Sequence, residues 1–306
     1  MDRTDLKLAV VAAALSNDAR QAPRVARTLG FDGLLFDAYG PVLSLPDLSQ
    51  SGRREFRHVL AAESRGLVGL RADLGPKGLT IGVDVDRVLS LLTRAMEAAA
   101  GLQSALLCCD LGPLPVPPAE PKPVRRATQD MAGLILLPNS VEEPSPAPAA
   151  APATMSAADQ ALAAQVDAVL IELGARADRF GVTVAFRSDL SPLSALERAL
   201  RAAACPWFGV ELDPVAILRD EWPLDELFSR LGLLIRHVRG RDATRGAGGR
   251  TSPAVVGAGS VQWDELLSNL DAAGFHSWIT IDPMELPDRV GAAAAGLKVL
   301  RPPRAT

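Results

Sequence analysis

The stretch Gly181–Asp213, with the sequence GVTVAFRSDLSPLSALERALRAAACPWFGVELD, contains two short apolar runs on either side of a helical repeat. The runs Val182–Arg187 and Trp207–Asp213 are largely apolar on both faces, which is typical of strands buried in a parallel sheet. Between them, Pro192–Ala204 spaces its apolar residues as a helix does. The stretch therefore predicts one β/α/β unit, in which a helix connects two parallel strands.

The same alternation continues in both directions from this unit. The other predicted strands are Leu8–Ala13, Gly33–Ala38, Leu67–Leu74, Ser104–Leu111, Leu233–Arg239 and Trp278–Asp282. The other predicted helices are Asp18–Leu29, Arg53–Ser64, Val85–Ala100, Ala158–Phe180, Leu224–Leu231, Trp263–Ala273 and Arg289–Leu300. A Gly-rich loop is predicted over Gly240–Ser260. About eight β/α units predict a single-domain (β/α)8 TIM barrel over residues 1–306 rather than an open doubly wound sheet. No GxGxxG motif follows the first strand, so the dinucleotide-binding fingerprint is missing.

One segment, Gly112–Thr154, breaks this pattern after the fourth strand. It holds roughly half of the 24 prolines of the chain, including Pro-Ala repeats near its end. Such a composition buries too little apolar surface to offset its ordering entropy, so we predict an extended, partly disordered insertion. A loop of this length is either a tolerated surface insertion or a lid over an active site.

Composition excludes several classes of partner and compartment. The net charge of −4 gives no electrostatic reason to expect nucleic acid or an anionic membrane as a partner. No apolar stretch is long enough to span a bilayer. The three cysteines form no CxxC pair, which argues against a disulfide framework or a zinc cluster and favours a reducing cytoplasm. Cys108 and Cys109 lie in an apolar run and are predicted to be buried strand residues.

Charged residues gather where the predicted strands end, which is where function concentrates in this fold. These residues are Asp37, Asp73, Asp110, Arg187, Asp213, Arg239, Arg241, Asp242 and Asp282. Arg71 and His237 lie just inside strand ends. Because side chains two residues apart lie on the same face of a strand, His237 points the same way as Arg239, and Glu211 the same way as Asp213.

Six short motifs occur in the order in which one known family carries them. They are LGFDGLL at 29–35, GVTVAFRS at 181–188, GVELDPVA at 209–216, HVRGRD at 237–242, GAGSVQW at 257–263 and GFHSWITID at 274–282. With them the chain resembles the sugar phosphate isomerase/epimerase family, the xylose isomerase-like TIM barrels of the AP endonuclease family 2 superfamily. The resemblance implies a sugar or sugar phosphate substrate, a proton shift next to a carbonyl, and frequent self-association into homo-oligomers.

The resemblance also implies a degenerate metal site. Family members with a metal hold a divalent ion with a Glu, an Asp, a His and a second Glu at four strand ends. Those positions carry here Arg187, Asp213, Arg239 and Asp282. A guanidinium stays protonated and has no lone pair for a metal. No cofactor is therefore expected, although Asp213 and Asp282 could bind Mg²⁺ or Mn²⁺ weakly.

Three functions remain open. In an isomerase or epimerase, Asp213 or Asp282 would be the catalytic base, and an arginine would stabilise the enediolate. The candidate substrate-binding residues are Arg187, His237, Arg239 and Arg241. In a non-catalytic barrel, the same arginines would bind an anionic metabolite or neutralise the two carboxylates. A structural role is the third function, and a core position is the alternative for His237.

Overall fold

The strands form a closed barrel in the computed structural model, which describes residues 5–75, 77–80, 82–118 and 155–302. Eight parallel strands pair in the order β1-β10-β7-β6-β5-β4-β3-β2. Their bounds are β1 Lys7–Val11, β2 Gly33–Asp37, β3 Gly66–Ala72, β4 Leu106–Asp110, β5 Thr183–Arg187, β6 Phe208–Leu212, β7 Ile235–Gly240 and β10 Trp278–Ile281. The predicted (β/α)8 barrel is confirmed.

Helices cover the outside of this barrel. They are α1 Ala12–Leu15, α2 Ala22–Leu29, α3 Gln50–Ala62, α4 Val85–Gly101, α5 Ala157–Phe180, α6 Leu193–Ala203, α7 Pro214–Asp220, α8 Leu224–Leu231, α9 Trp263–Ala272 and α10 Arg289–Leu300. Helix α5 shows why they begin and end where they do. The Ser156 hydroxyl accepts the Asp159 amide at its start, and Gly181 ends it with a φ of +64° that favours glycine. None of the described helices is long and apolar enough to cross a membrane.

Successive side chains along each strand point alternately into the barrel interior and towards the surrounding helices. On β4, Cys108 packs inside the barrel with Ala9, Leu35 and Ala185. The next residue, Cys109, belongs to the larger core between the strands and the helices. The predicted burial of both cysteines is confirmed, and they face opposite sides of the same strand.

A β-hairpin lies in the region that the sequence analysis interprets as a Gly-rich loop. Strands β8 (Asp242–Arg245) and β9 (Thr251–Ala254) pair antiparallel outside the barrel. The buried Asp242 carboxylate anchors the start of this hairpin, because it accepts the amides of Gly257 and Val261 and the indole N–H of Trp263. The loop prediction is wrong here because the hairpin depends on contacts from residues well beyond its own strands.

The first residues of the predicted insertion are packed. Leu114 is buried, and its amide donates to Ser191 Oγ at 2.8 Å. The Ser188 hydroxyl donates to the Gly112 carbonyl at 2.7 Å, so residues 112–118 belong to the loop system above β4 and β5. Residues 119–154, which carry the rest of the predicted insertion, lie outside the described residues. The single domain over 1–306 and the insertion or lid therefore stay predictions.

Candidate ligand site at the barrel mouth

Charges of alternating sign line the carboxyl ends of seven neighbouring barrel strands. In barrel order from β2 to β10 they are Asp37, Arg71, Asp110, Arg187, Asp213, Arg239 and Asp282. We call this set the charged ring. Each of its guanidiniums lies between two carboxylates, and the alternation places opposite charges side by side.

Asp282 is a carboxylate of the ring that two guanidiniums share. Its Oδ2 accepts Arg239 Nε at 2.7 Å and Arg71 Nη1 at 2.8 Å, and its Oδ1 accepts the Met284 amide at 3.1 Å. The side chain is only 1% exposed. Burial alone would raise the pKa of Asp282, but the guanidiniums of Arg239 and Arg71 outweigh it and bring that pKa to about 2. Asp282 is therefore held as a weakly basic carboxylate.

Asp213 is engaged in a similar way at the start of α7. Its Oδ2 contacts Arg241 Nη2 at 2.5 Å and Arg239 Nη1 at 3.5 Å, while Oδ1 accepts the Val215 amide at 3.0 Å. Burial opposes ionisation, yet Arg241 and Arg239 lower the pKa of Asp213 below its ordinary value. Arg241 also reaches Glu285 at 2.5 Å on the loop after β10. Asp213 thus contacts two arginines, and each of them has a second carboxylate partner, Asp282 for Arg239 and Glu285 for Arg241.

Arg187 completes the ring on the opposite side. Its Nη1 donates to Glu211 Oε2 at 2.8 Å, and its Nη2 lies 3.1 Å from Asp110 Oδ2. Burial raises the pKa of Asp110, and Arg187 opposes that shift only in part. All three side chains are at most 16% exposed.

A second polar layer lies two residues below the ring inside the barrel. His237 Nδ1 is 3.0 Å from Glu211 Oε1, and His237 Nε2 is 2.8 Å from Thr280 Oγ1. The Cys108 sulfur lies 3.5 Å from the same Nδ1. His237 is completely buried, and both its ring nitrogens have protein partners, which favours a core position over direct contact with a ligand at the mouth.

The structure brings five of the six predicted site residues together at the mouth. Arg187, Asp213, Arg239, Arg241 and Asp282 lie in or beside the charged ring. Their roles stay predictions.

Three ring residues, Asp37, Arg71 and Asp110, were not among the predicted site residues. Arg71 was noted only as lying near a strand end, and Asp37 pairs with it at 2.7 Å. The signal that could have found them is the alternation of charge from one strand end to the next. Two other strand-end residues do not join the ring, since Asp73 accepts the Gly75 amide in its own turn and Asp242 holds the hairpin.

The four positions that the resemblance gives to metal ligands do not fit a divalent cation. Two of them hold the guanidiniums of Arg187 and Arg239. The two carboxylates, Asp213 and Asp282, already accept guanidinium donors. A dication placed between those carboxylates would displace these donors and be repelled by them. These guanidinium contacts therefore argue against the weak Mg²⁺ or Mn²⁺ site at Asp213 and Asp282 that the sequence analysis allowed.

The pairing of Asp282 predicts a specific acid sensitivity. A carboxylate whose pKa is lowered on folding stabilises the protein above its unfolded pKa of 3.8 and loses that contribution as the pH falls towards about 2. The shift corresponds to about 2 kcal/mol. Urea unfolding at a series of pH values should show the stability gap between the wild type and Asp282→Asn narrowing by about that amount between pH 5 and pH 2. A gap that stays constant over this range would contradict the pairing.

Known proteins resemble this chain in sequence and in fold. A family model described as "Xylose isomerase-like TIM barrel" matches residues 23–302. No curated protein matches the sequence. Similar solved structures include D-psicose 3-epimerase with D-tagatose from Clostridium cellulolyticum H10, at 14% identity and a TM-score of 0.68 over 97% of this chain and 98% of that one.

Two further structures show how varied such barrels are. The probable 3-DHS dehydratase from Bacillus anthracis is 12% identical, with a TM-score of 0.67 over 96% of this chain and 98% of that one. A xylose isomerase-like TIM barrel protein from Mycobacterium smegmatis in complex with magnesium is 15% identical, with a TM-score of 0.63 over 96% and 94%. At these identities the likeness shows the fold and not the reaction. The match of the family model nevertheless spans most of the sequence, and the chain belongs to the xylose isomerase-like TIM barrel family.

Proposed function

We propose that this chain is a non-catalytic barrel that binds a neutral sugar or polyol at the charged ring without a divalent metal. The observation that carries the proposal is the set of guanidinium contacts on Asp282 Oδ2, from Arg239 and Arg71. They occupy the carboxylate that the family's chemistry would need free.

The low basicity of Asp282 and Asp213 also argues against catalysis. A general base works best when its pKa lies near the operating pH. The pKa of Asp282 is about 2, and the pKa of Asp213 is also lowered by its arginines. A carboxylate paired in this way is a poor acceptor for the proton next to a carbonyl. Without the Lewis acidity of a metal, the enediolate also loses several kcal/mol of stabilisation.

The charge balance of the mouth favours a neutral ligand over an anionic one. Six carboxylates and four guanidiniums meet there among the described residues: Asp37, Asp110, Glu211, Asp213, Asp282 and Glu285, with Arg71, Arg187, Arg239 and Arg241. Two negative charges remain, so a phosphate gains little from the arginines. Hydroxyl groups both donate and accept, and alternating guanidinium and carboxylate groups offer partners for both roles.

A ligand panel tests this choice. We expect neutral ketohexoses or hexitols to raise the melting temperature and to bind equally well before and after treatment with EDTA. The matched ketohexose phosphates should bind more weakly. The control is Arg94→Ala, whose side chain lies on the exposed outer face of α4 and pairs with Asp47 there. Tighter binding of the phosphates, or binding that EDTA abolishes, would contradict the proposal.

An isomerase or epimerase is the second candidate, favoured by the family match and by two carboxylates at family ligand positions. Incorporation of deuterium from D₂O into each ketose that binds, followed by NMR, separates the two functions. We expect no exchange above that of heat-inactivated protein. Exchange that persists in EDTA, is lost in a folded Asp282→Asn variant and survives in Arg94→Ala would establish the enzyme instead.

A further inference from the structure

We propose that Cys108, Glu211 and His237 form a zinc site inside the barrel, one layer below the charged ring. We call these three residues the inner triad. They come from β4, β6 and β7, and their ligand atoms all lie within 4.8 Å of one another. A thiol, a carboxylate and an imidazole are the three ligand types that zinc takes in proteins.

The distances suit a tetrahedral ion. With zinc–sulfur and zinc–nitrogen bonds of about 2.3 and 2.0–2.1 Å, tetrahedral ligation separates the two ligand atoms by about 3.5 Å. The Cys108 Sγ to His237 Nδ1 distance is 3.5 Å. His237 Nδ1 and Glu211 Oε1 are 3.0 Å apart, so the carboxylate needs to move by about 0.4 Å to reach the same geometry. The fourth position falls to a water, because the second oxygen of Glu211 accepts Arg187.

The imidazole is already oriented as a metal ligand. His237 Nε2 lies 2.8 Å from Thr280 Oγ1, and an Nε2–H donated to that oxygen leaves a lone pair on Nδ1 that points at the other two ligands. Metal-bound histidines commonly donate their second nitrogen to a neighbouring acceptor in this way. The two acceptors Nδ1 and Glu211 Oε1 then face each other, and a cation between them removes their repulsion.

The charges of the inner triad also balance that of the ion. A Cys108 thiolate and the Glu211 carboxylate neutralise Zn²⁺, and the thiol proton is released to solvent on binding. Arg187 donates to Glu211 Oε2 and not to Oε1, the oxygen that faces His237, so the ion displaces no guanidinium donor, and Asp110 at 3.1 Å balances the charge of Arg187. Since all three triad residues are buried and Arg187 lies above Glu211, we assign the ion a structural role inside the barrel rather than a place at the mouth.

Metal analysis of the full chain provides the first test. The protein is expressed with added Zn²⁺, dialysed to remove loosely bound ions and measured by mass spectrometry. We expect about one zinc per chain and a melting temperature that falls on extraction with a strong chelator. Replacement by Co²⁺ should produce the thiolate-to-cobalt charge-transfer absorption. This measurement needs no variant, so it stays decisive if a substitution fails to fold.

Variants then locate the ion. Cys108→Ser and His237→Gln should each reduce the bound zinc to below about a tenth per chain and abolish the charge-transfer band. Cys109→Ser is the matched control, because Cys109 is equally buried on the same strand but faces the helices. It should keep both signals. Thr280→Val should weaken zinc binding about 10- to 100-fold, as loss of an outer partner does.

Two results would overturn the assignment. Wild-type protein that retains no zinc and shows no charge-transfer band with Co²⁺ has no such site. Zinc that persists in Cys108→Ser, or a band lost in Cys109→Ser and kept in Cys108→Ser, would place the ion elsewhere. Neither result bears on sugar binding at the charged ring, which is tested separately.

Discussion

Replacing Asp282 by Asn should lower the free energy of unfolding by about 3 kcal/mol at neutral pH, because removing one partner of a buried ion pair leaves the other charge uncompensated. Arg71 and Arg239 both donate to the lost carboxylate oxygen. Each keeps a second partner, Asp37 for Arg71 and Asp213 for Arg239, so the loss should lie at the low end of the range for such pairs. Urea unfolding measures it.

Asp37→Asn is the matched control for this result. It removes another acidic partner of Arg71, but the Asp37 side chain is 25% exposed, so water replaces part of what is lost. We expect a loss below about 1 kcal/mol. Equal effects of the two substitutions would mean that burial does not set the strength of these pairs, and a negligible effect of Asp282→Asn would mean that the charged ring contributes nothing to stability.

Asp242→Asn should be the most destabilising single change considered, at about 4 kcal/mol, since several buried donors lose a charged acceptor together. The carboxylate accepts the amides of Ala243, Gly257 and Val261 at 2.8, 2.8 and 3.1 Å, and the Trp263 indole N–H at 3.0 Å. An asparagine amide would turn N–H groups towards these donors. Hydrogen exchange should show the hairpin β8–β9 losing protection before the barrel strands do.

Glu265→Gln provides the control for Asp242→Asn. Glu265 lies on the exposed face of α9, close to the same loop, and its substitution should change stability by less than about 0.5 kcal/mol. A loss below about 1 kcal/mol for Asp242→Asn would contradict the interpretation of its carboxylate as the anchor of the loop.

Several features of the fold were predictable from local sequence alone. The apolar runs and the helical spacing between them fix the alternation of strands and helices, because each element must bury its apolar side chains. Gly30 and Gly181 end helices at left-handed residues, as their position after a helical repeat predicts. Charged residues at strand ends indicated the mouth of the barrel as the candidate site.

The hairpin β8–β9 could not be predicted from the local sequence pattern. Ala243 is the one buried apolar residue of its two strands, and the hairpin is held because Asp242 reaches residues up to 21 positions further along the chain. Gly259 is needed there since a Cβ would lie 2.1 Å from Asp242 Oδ1. The motif GAGSVQW contributed to the family resemblance, but only the tertiary structure supplies its physical reason.

The sequence by itself determined the alternation of elements, the family and the presence of arginine at two positions where a metal ligand is expected. It could not determine what those arginines do, because a guanidinium at a strand end either faces an incoming anion or pairs with a carboxylate from another strand. Only the closed barrel decided this. By bringing the strand ends around one mouth, it places Arg187 between Asp110 and Glu211, and Arg239 between Asp213 and Asp282.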